Sequence, residues 1–149
     1  MRTVDVCLTH QDFENYDHKG KIVVVIDVLR ATSTINTLLF LGADHVRPIG
    51  SLEECRSLKD QDYIIMAERL GKKVDGFDYG NSPTKLSEKD IREKKVAIAT
   101  SNGSKAIIKS EGSEETILCS FLNINSVINF IDTYESDVIL LCSGWLGKT

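Results

Sequence analysis

The sequence predicts an α/β domain: three layers, α/β/α, around a mostly parallel or mixed sheet. Three observations predict it. Short runs rich in Val and Ile alternate with amphipathic stretches along the chain. Several runs are apolar at every position, as in strands covered on both faces. The length, 149 residues with 42% hydrophobic content, suits one domain with a sizeable core. A single domain is therefore expected over 1–149.

The elements follow in order. The runs "TVDVCL" (3–8), "KIVVVIDV" (21–28), "HVRPI" (45–49), "YIIMAE" (63–68), "KVAIAT" (95–100), "TILCSF" (116–121) and "DVILLCS" (137–143) read as strands. In 31–42, Ala31, Ile35, Leu38 and Leu39 share one helical face, and Gly42 can end the helix. Ser51 with Glu54 forms a capping box for a helix over 51–59. After Asn123, the residues Ile124, Val127, Ile128 and Ile131 form another apolar stripe. The segment 71–92 is polar, turn-rich and weakly patterned, and a loop of that length in a compact domain carries function or mobility.

Composition excludes several classes. The net charge is −4, from 18 basic and 22 acidic side chains, and no basic block marks a nucleic-acid surface. No apolar run reaches the ~20 residues of a membrane span. The start "MRTVDVCLTH" lacks the apolar core of a secretory signal. Cys7, Cys55, Cys119 and Cys142 show no C-x-x-C spacing, which argues against zinc. Three lie in apolar runs, as reduced core thiols of a cytoplasmic protein would. His10, His18 and His45 sit outside the strand ends and read as surface or packing residues.

Polar residues crowd the carboxyl ends of the strands: "DVLRATST", "ERLGKK", "TSNGSK", "SFLN" and "SGWLG". Parallel sheets bind ligands at that edge, so these segments are expected to converge, and hydroxyls, Gly and helix N-termini gathered there suit an anion. Thr32, Ser101, Asn102 and Asn123 equally suit ordinary helix N-caps, worth about 1 kcal/mol each. Asp27 and Glu68 are harder to explain structurally. Each ends an apolar strand, where an unpaired carboxylate is costly, although Asp27 could pair with Arg30 and Glu68 with Arg69.

The blocks "VVVIDVLRATSTI", "AERLGKKVDGFDYGNSP", "TSNGSKAI" and "SFLNINSV" together resemble the 2-phosphosulfolactate phosphatase (ComB-like) family. That family carries, in the same order, V-x-D-V-L-R-A-T-[ST]-T, G-E-R-x-G-x-x-x-x-G-F-D-x-G-N-S-P, T-T-N-G-T-x-A and S-F-x-N segments. The likeness runs from about Val23 to the end. Ala67 stands where the family often has Gly, and Ser101 where it often has Thr. Family chains continue further, so this chain is expected to lack the C-terminal part of the fold. Trp145 and Leu146 should then lie on an unfinished surface, with turnover weak or absent.

The resemblance implies a magnesium-dependent phosphatase that releases phosphate from 2-phospho-3-sulfolactate, a step towards coenzyme M, or from a related phosphorylated 2-hydroxy acid. It implies a cytoplasmic enzyme with a small anionic substrate and no nucleic-acid or membrane partner; a homo-oligomer is compatible with it. Phosphate-ester hydrolysis needs a cation, donors around the phosphoryl oxygens and a positioned nucleophile. Asp27, Glu68 and Asp78 are the expected Mg2+ ligands. Arg30 is expected to neutralise charge on the phosphoryl group. Thr32, Ser33 and Thr34 would hold phosphate, with Thr100, Ser101, Asn102, Gly103 and Ser104 as a second anion seat. Arg69, Asn81, Ser82, Ser120 and Asn123 complete the substrate-binding set. Either a metal-activated water or Asp27 is the nucleophile. The competing readings are a non-catalytic anion-binding module or inactive fragment, and a partner-binding domain whose polar strand ends are only caps.

Overall fold

A computed structural model describes residues 1–145. The element order is β1 (Val4–Cys7), β2 (Ile22–Ile26), α1 (Ala31–Phe40), β3 (His45–Pro48), α2 (Leu52–Ser57), β4 (Tyr63–Arg69), β5 (Lys72–Lys73), α3 (Glu88–Ile91), β6 (Lys95–Ala99), α4 (Gly103–Lys109), β7 (Glu115–Cys119), α5 (Ile124–Ile131) and β8 (Val138–Cys142). The class is α/β with mainly parallel pairing, as the sequence predicts. The strands divide between two four-stranded sheets, β1-β8-β2-β7 and β3-β6-β4-β5. All pairs are parallel except β4 with the short β5. An apolar run shows that both faces of a strand are covered; it does not show which strand lies beside it.

The run "IVVVI" of β2 sits between β7 and β8, and its side chains alternate between two cores. Val23 and Val25 face Phe13, Ala106, Ile139 and Leu141. Ile22 and Val24 face Val127 of α5 and Val138. This is the period of two expected of a buried strand. In the second sheet, Ile65, Ala67, Ala97 and Ala99 pack on Cys55 and Leu58, from α2 and the turn after it. Met66, Val96 and Ile98 pack on Ile35 and Leu38 of α1. Ile107 of α4 and Leu118 of β7 reach the same cluster. Helices α1 and α4 therefore lie between the two sheets and join them. Among the described residues no helix is long and apolar enough to cross a membrane.

The weakly patterned segment 71–92 is ordered by the backbone of β4. Asp78 and Tyr79 N–H groups donate to Ile65 O, and Ala67 N–H donates to Tyr79 O. The Asp78 carboxylate accepts from Ile65 N–H at 3.0 Å and pairs with Lys59 Nζ at 3.0 Å. This clamp holds "GNSP" beside the end of β4.

At the start of α4, Gly103 meets the start of α1. A methyl group on Gly103 would overlap Ala31 Cβ and lie 2.5 Å from Asp27 Oδ2. Gly103→Ala should therefore destabilise the fold by about 1–3 kcal/mol, the usual cost of overpacking. Adding Ala31→Gly should return part of that loss. Thermal melts of the single and double variants check it; an unchanged Tm in Gly103→Ala would refute the close approach.

Candidate active site

Strands β2, β4, β6 and β8 end at one cleft, although they come from different sheets. The cleft has a volume of about 360 Å³. Asp27 and Arg30 reach it from the turn after β2, Glu68 from β4, and Thr100 and Asn102 from the turn after β6. Asn81 comes from the clamped segment, and Gly144 and Trp145 follow β8.

The turn after β2 is built by its own side chains. Thr32 Oγ1 accepts from Asp27 N–H at 3.1 Å, while Thr32 N–H donates to Asp27 O at 3.1 Å. Ser33 Oγ donates to Val28 O at 2.7 Å. These bonds stop the strand and start the helix. They place the Asp27 carboxylate at the N-terminus of α1, near the Ala31 and Arg30 N–H groups and the Ser143 hydroxyl, which favour its charged form. Burial pushes the Asp27 carboxyl above its ordinary value of 3.8, and the charge of Glu68 adds to the rise; these neighbouring donors oppose it without cancelling it.

Glu68 is buried, and it accepts from Gly71 N–H. Arg30 donates to Gly71 O at 3.1 Å, which holds its guanidinium over the same turn. Asn81 is 5% exposed, and its Oδ1 is buried with no hydrogen-bond partner. An orphaned buried acceptor is unusual and calls for a ligand.

Among the described residues no three His, Cys, Asp or Glu side chains gather closely enough to hold a metal alone. The cleft offers two carboxylates, Asp27 and Glu68, and the Asn81 amide oxygen. These are hard oxygen donors, the set that suits magnesium when it keeps several waters. The residues present fit that ion.

Several expected site residues lie elsewhere. The hydroxyls of Thr32 and Ser33 are spent on the turn, and Thr34 is fully buried. Thr100 lines the cleft, but its Oγ1 accepts from Ser104 N–H at 2.9 Å. Ser104 Oγ donates to Ile98 O at 3.0 Å, facing away. Ser101 does not line the cleft, and Gly103 provides clearance. Arg69 donates to the Glu68 and Ala99 carbonyls at 2.7 and 3.4 Å, tying β4 to β6. Both Asp78 oxygens are engaged in the clamp, so Asp78 is not in the carboxylate pair of the cleft. Ser82 lines a neighbouring cavity.

Ser120 and Asn123 do not join the cleft. Asn123 Oδ1 accepts from Ser120 N–H at 2.9 Å, and Asn36 donates to both side chains at 3.0 Å. This network ties α1 to α5. The strand β7 that carries it forms the edge of its sheet. The four cysteines are free, and burial raises Cys55 to about 11, so it is a packing thiol.

His10, expected from the sequence to be a surface or packing residue, is 4% exposed, and its Nδ1–H donates to Ser143 O at 2.7 Å. Through Ser143 it supports the donor that faces Asp27. Its place just after β1, at another carboxyl end, was the available signal.

The 2-phosphosulpholactate phosphatase family model matches residues 7–149. The chain belongs to that family. A "Probable 2-phosphosulfolactate phosphatase" of Caldanaerobacter subterraneus subsp. tengcongensis is 39% identical, over 94% of this chain and 60% of that protein. A protein of the same name from Thermotoga maritima is 41% identical, over 86% of this chain and 56% of its own. Another from Clostridium perfringens is 34% identical, over 97% of this chain and 61% of its own. The chain thus spans about three fifths of the length of these curated relatives. Leu146, expected on an open surface, lies outside the described residues; Trp145 is exposed at the mouth of the cleft.

Two variants separate the carboxylates. Folding raises the Asp27 value, so the folded state binds its proton more tightly than the unfolded state does. Its contribution to stability is therefore full below the unfolded value and is lost as pH rises through the folded one. In EDTA, Asp27→Asn should raise Tm at pH 7, and the gain should vanish as pH falls below about 4. A lower Tm at pH 7 would refute it. Asp78 behaves oppositely: partial burial raises its value, but Ile65 N–H and Lys59 outweigh this and lower it overall. Asp78→Ala should lose about 1–3 kcal/mol at pH 7, because Ile65 N–H loses its acceptor. An unaltered denaturation midpoint would show that the clamp is idle.

Proposed function

We propose that the chain hydrolyses the phosphate ester of 2-phospho-3-sulfolactate, or of a related phosphorylated 2-hydroxy acid, with Mg2+ at Asp27 and Glu68. One observation carries this reading. Two carboxylates from different sheets share a cleft with a guanidinium and a buried, unpartnered amide oxygen. The family membership and the names of the relatives support the substrate class.

Asp27, Glu68 and Asn81 Oδ1 would hold the ion, which when bound neutralises phosphoryl charge and lowers the pKa of water. The chain's own residues do the rest. Burial raises the Asp27 value and the charge of Glu68 adds to it, and a divalent cation would offset both. Arg30, fixed by Gly71 O, presents its remaining N–H groups to equatorial phosphoryl oxygens. Asn102 lines the same wall and can donate to an oxygen of the substrate. Ser143, backed by His10, keeps Asp27 in place.

The test is phosphate release from 2-phospho-3-sulfolactate in Mg2+ and in EDTA. Metal-dependent release is expected. Arg30→Lys should lower kcat/KM by about 100-fold, because an ammonium cannot reproduce the two-pronged contact. Mn2+ binding, read by electron paramagnetic resonance, should be lost in Asp27→Asn and retained in Arg30→Lys. Release that is indifferent to EDTA, or Mn2+ affinity unaltered by Asp27→Asn, would overturn the assignment.

A further inference from the structure

A second cavity of about 450 Å³ adjoins the cleft, and Arg30, Gly71 and Asn81 line both. Its remaining wall differs sharply in charge. Lys73 and Lys85 line it with Arg30, and Asp78 is the carboxylate present. That carboxylate is already engaged by Lys59 and Ile65 N–H. Lys85 has no ion pair among the described residues. Lys73 Nζ donates to Phe77 O at 3.0 Å, and an ammonium has two further N–H groups to offer. The chamber is therefore cationic, beside a cleft lined by the carboxylates of Asp27 and Glu68.

The backbone brings Lys73 into this wall. Lys73 sits on β5, opposite Glu68 of β4. Gly80 lies against it, and a methyl group there would come within 3.2 Å of Lys73 Cβ and 3.4 Å of its Cα. Glycine at 80 permits the close approach without displacing β5.

We propose that this chamber is the seat of a sulfonate: Lys73 and Lys85 hold the non-scissile acid of the substrate while its phosphate occupies the cleft, with Arg30 between them. The proposal rests on the phosphatase reading and deepens it. A sulfonate is anionic at every working pH and spreads its charge over three oxygens. Compact ammonium groups on flexible stems match it without a fixed fork. The Ser82 hydroxyl, also in this wall, can donate to it. None of these three residues is needed to hold the cation, so they govern which ester enters rather than how its bond breaks.

The experiment compares 2-phospho-3-sulfolactate with 2-phospholactate, which keeps phosphate and carboxylate but lacks the sulfonate. In the double variant Lys73→Gln/Lys85→Gln, the ratio of kcat/KM for the first substrate to that for the second should fall about tenfold. A ratio equal to the native one would overturn the proposal, whether both rates fall together or neither does. A native protein that releases phosphate from neither ester would count against the phosphatase reading alone. The seat is then read by calorimetry with 3-sulfolactate in Mg2+. Binding that weakens about tenfold in the double variant supports the seat without turnover; no binding, or equal binding, refutes it.

Discussion

Gly103 opens α4 against Ala31 and the carboxylate of Asp27, with no room for a methyl group between them. The two helices joined there lie between the sheets, and each follows a strand that feeds the cleft: β2 in one sheet, β6 in the other. If they stood further apart, Asp27 and Glu68, which end strands of different sheets, would not share one cleft. The close approach also excludes water from Asp27, which raises its proton affinity. One steric contact thus fixes both the separation of the carboxylates and the dielectric in which they act.

That burial carries a cost which the fold only partly offsets. Two backbone N–H groups and the Ser143 hydroxyl face Asp27, and Glu68 takes the Gly71 N–H. No Lys or Arg forms an ion pair with either carboxylate among the described residues. Arg30 and Arg69, the nearest candidates in the sequence, instead donate to the carbonyls of Gly71, Glu68 and Ala99. Sites that keep two carboxylates close without a protein cation are suited to a bound one, and stability is given up locally to keep them so.

The parts of the site legible in the sequence were those with an energetic reason to stand out. Asp27 and Glu68 end apolar strands, where a carboxylate without purpose is expensive, and both line the cleft. The hydroxyls of "RATST" had no such cost. Their alternative use, as local acceptors and donors in a strand-to-helix turn, is what the structure shows for Thr32 and Ser33. Ser120 and Asn123 follow a strand too, but convergence depends on strand order, and β7 lies at an edge. Hydrophobic period does not encode strand order. The division into two sheets was hidden for the same reason. Lys73 and Lys85 sit in a weakly patterned segment, and the pairing of β5 with β4 and the Asp78 clamp together give them a common wall.

Arg30 and Asn81 stand where the acidic cleft and the basic chamber meet. Their placement couples the two. A guanidinium between a carboxylate pair and two ammonium groups is attracted to the first and repelled by the second, so its position responds to the charge on either side. Adding a cation to the carboxylates weakens their pull on Arg30, and adding an anion to the chamber strengthens the pull from there. In the proposed mode of binding, one substrate would occupy both sides, phosphate towards a cation and acid towards the lysines, and so balance these forces. A ligand that fills one side alone leaves Arg30 drawn towards one chamber. On that proposal the boundary between the chambers, rather than either chamber alone, is where a correct substrate would differ electrostatically from inorganic phosphate.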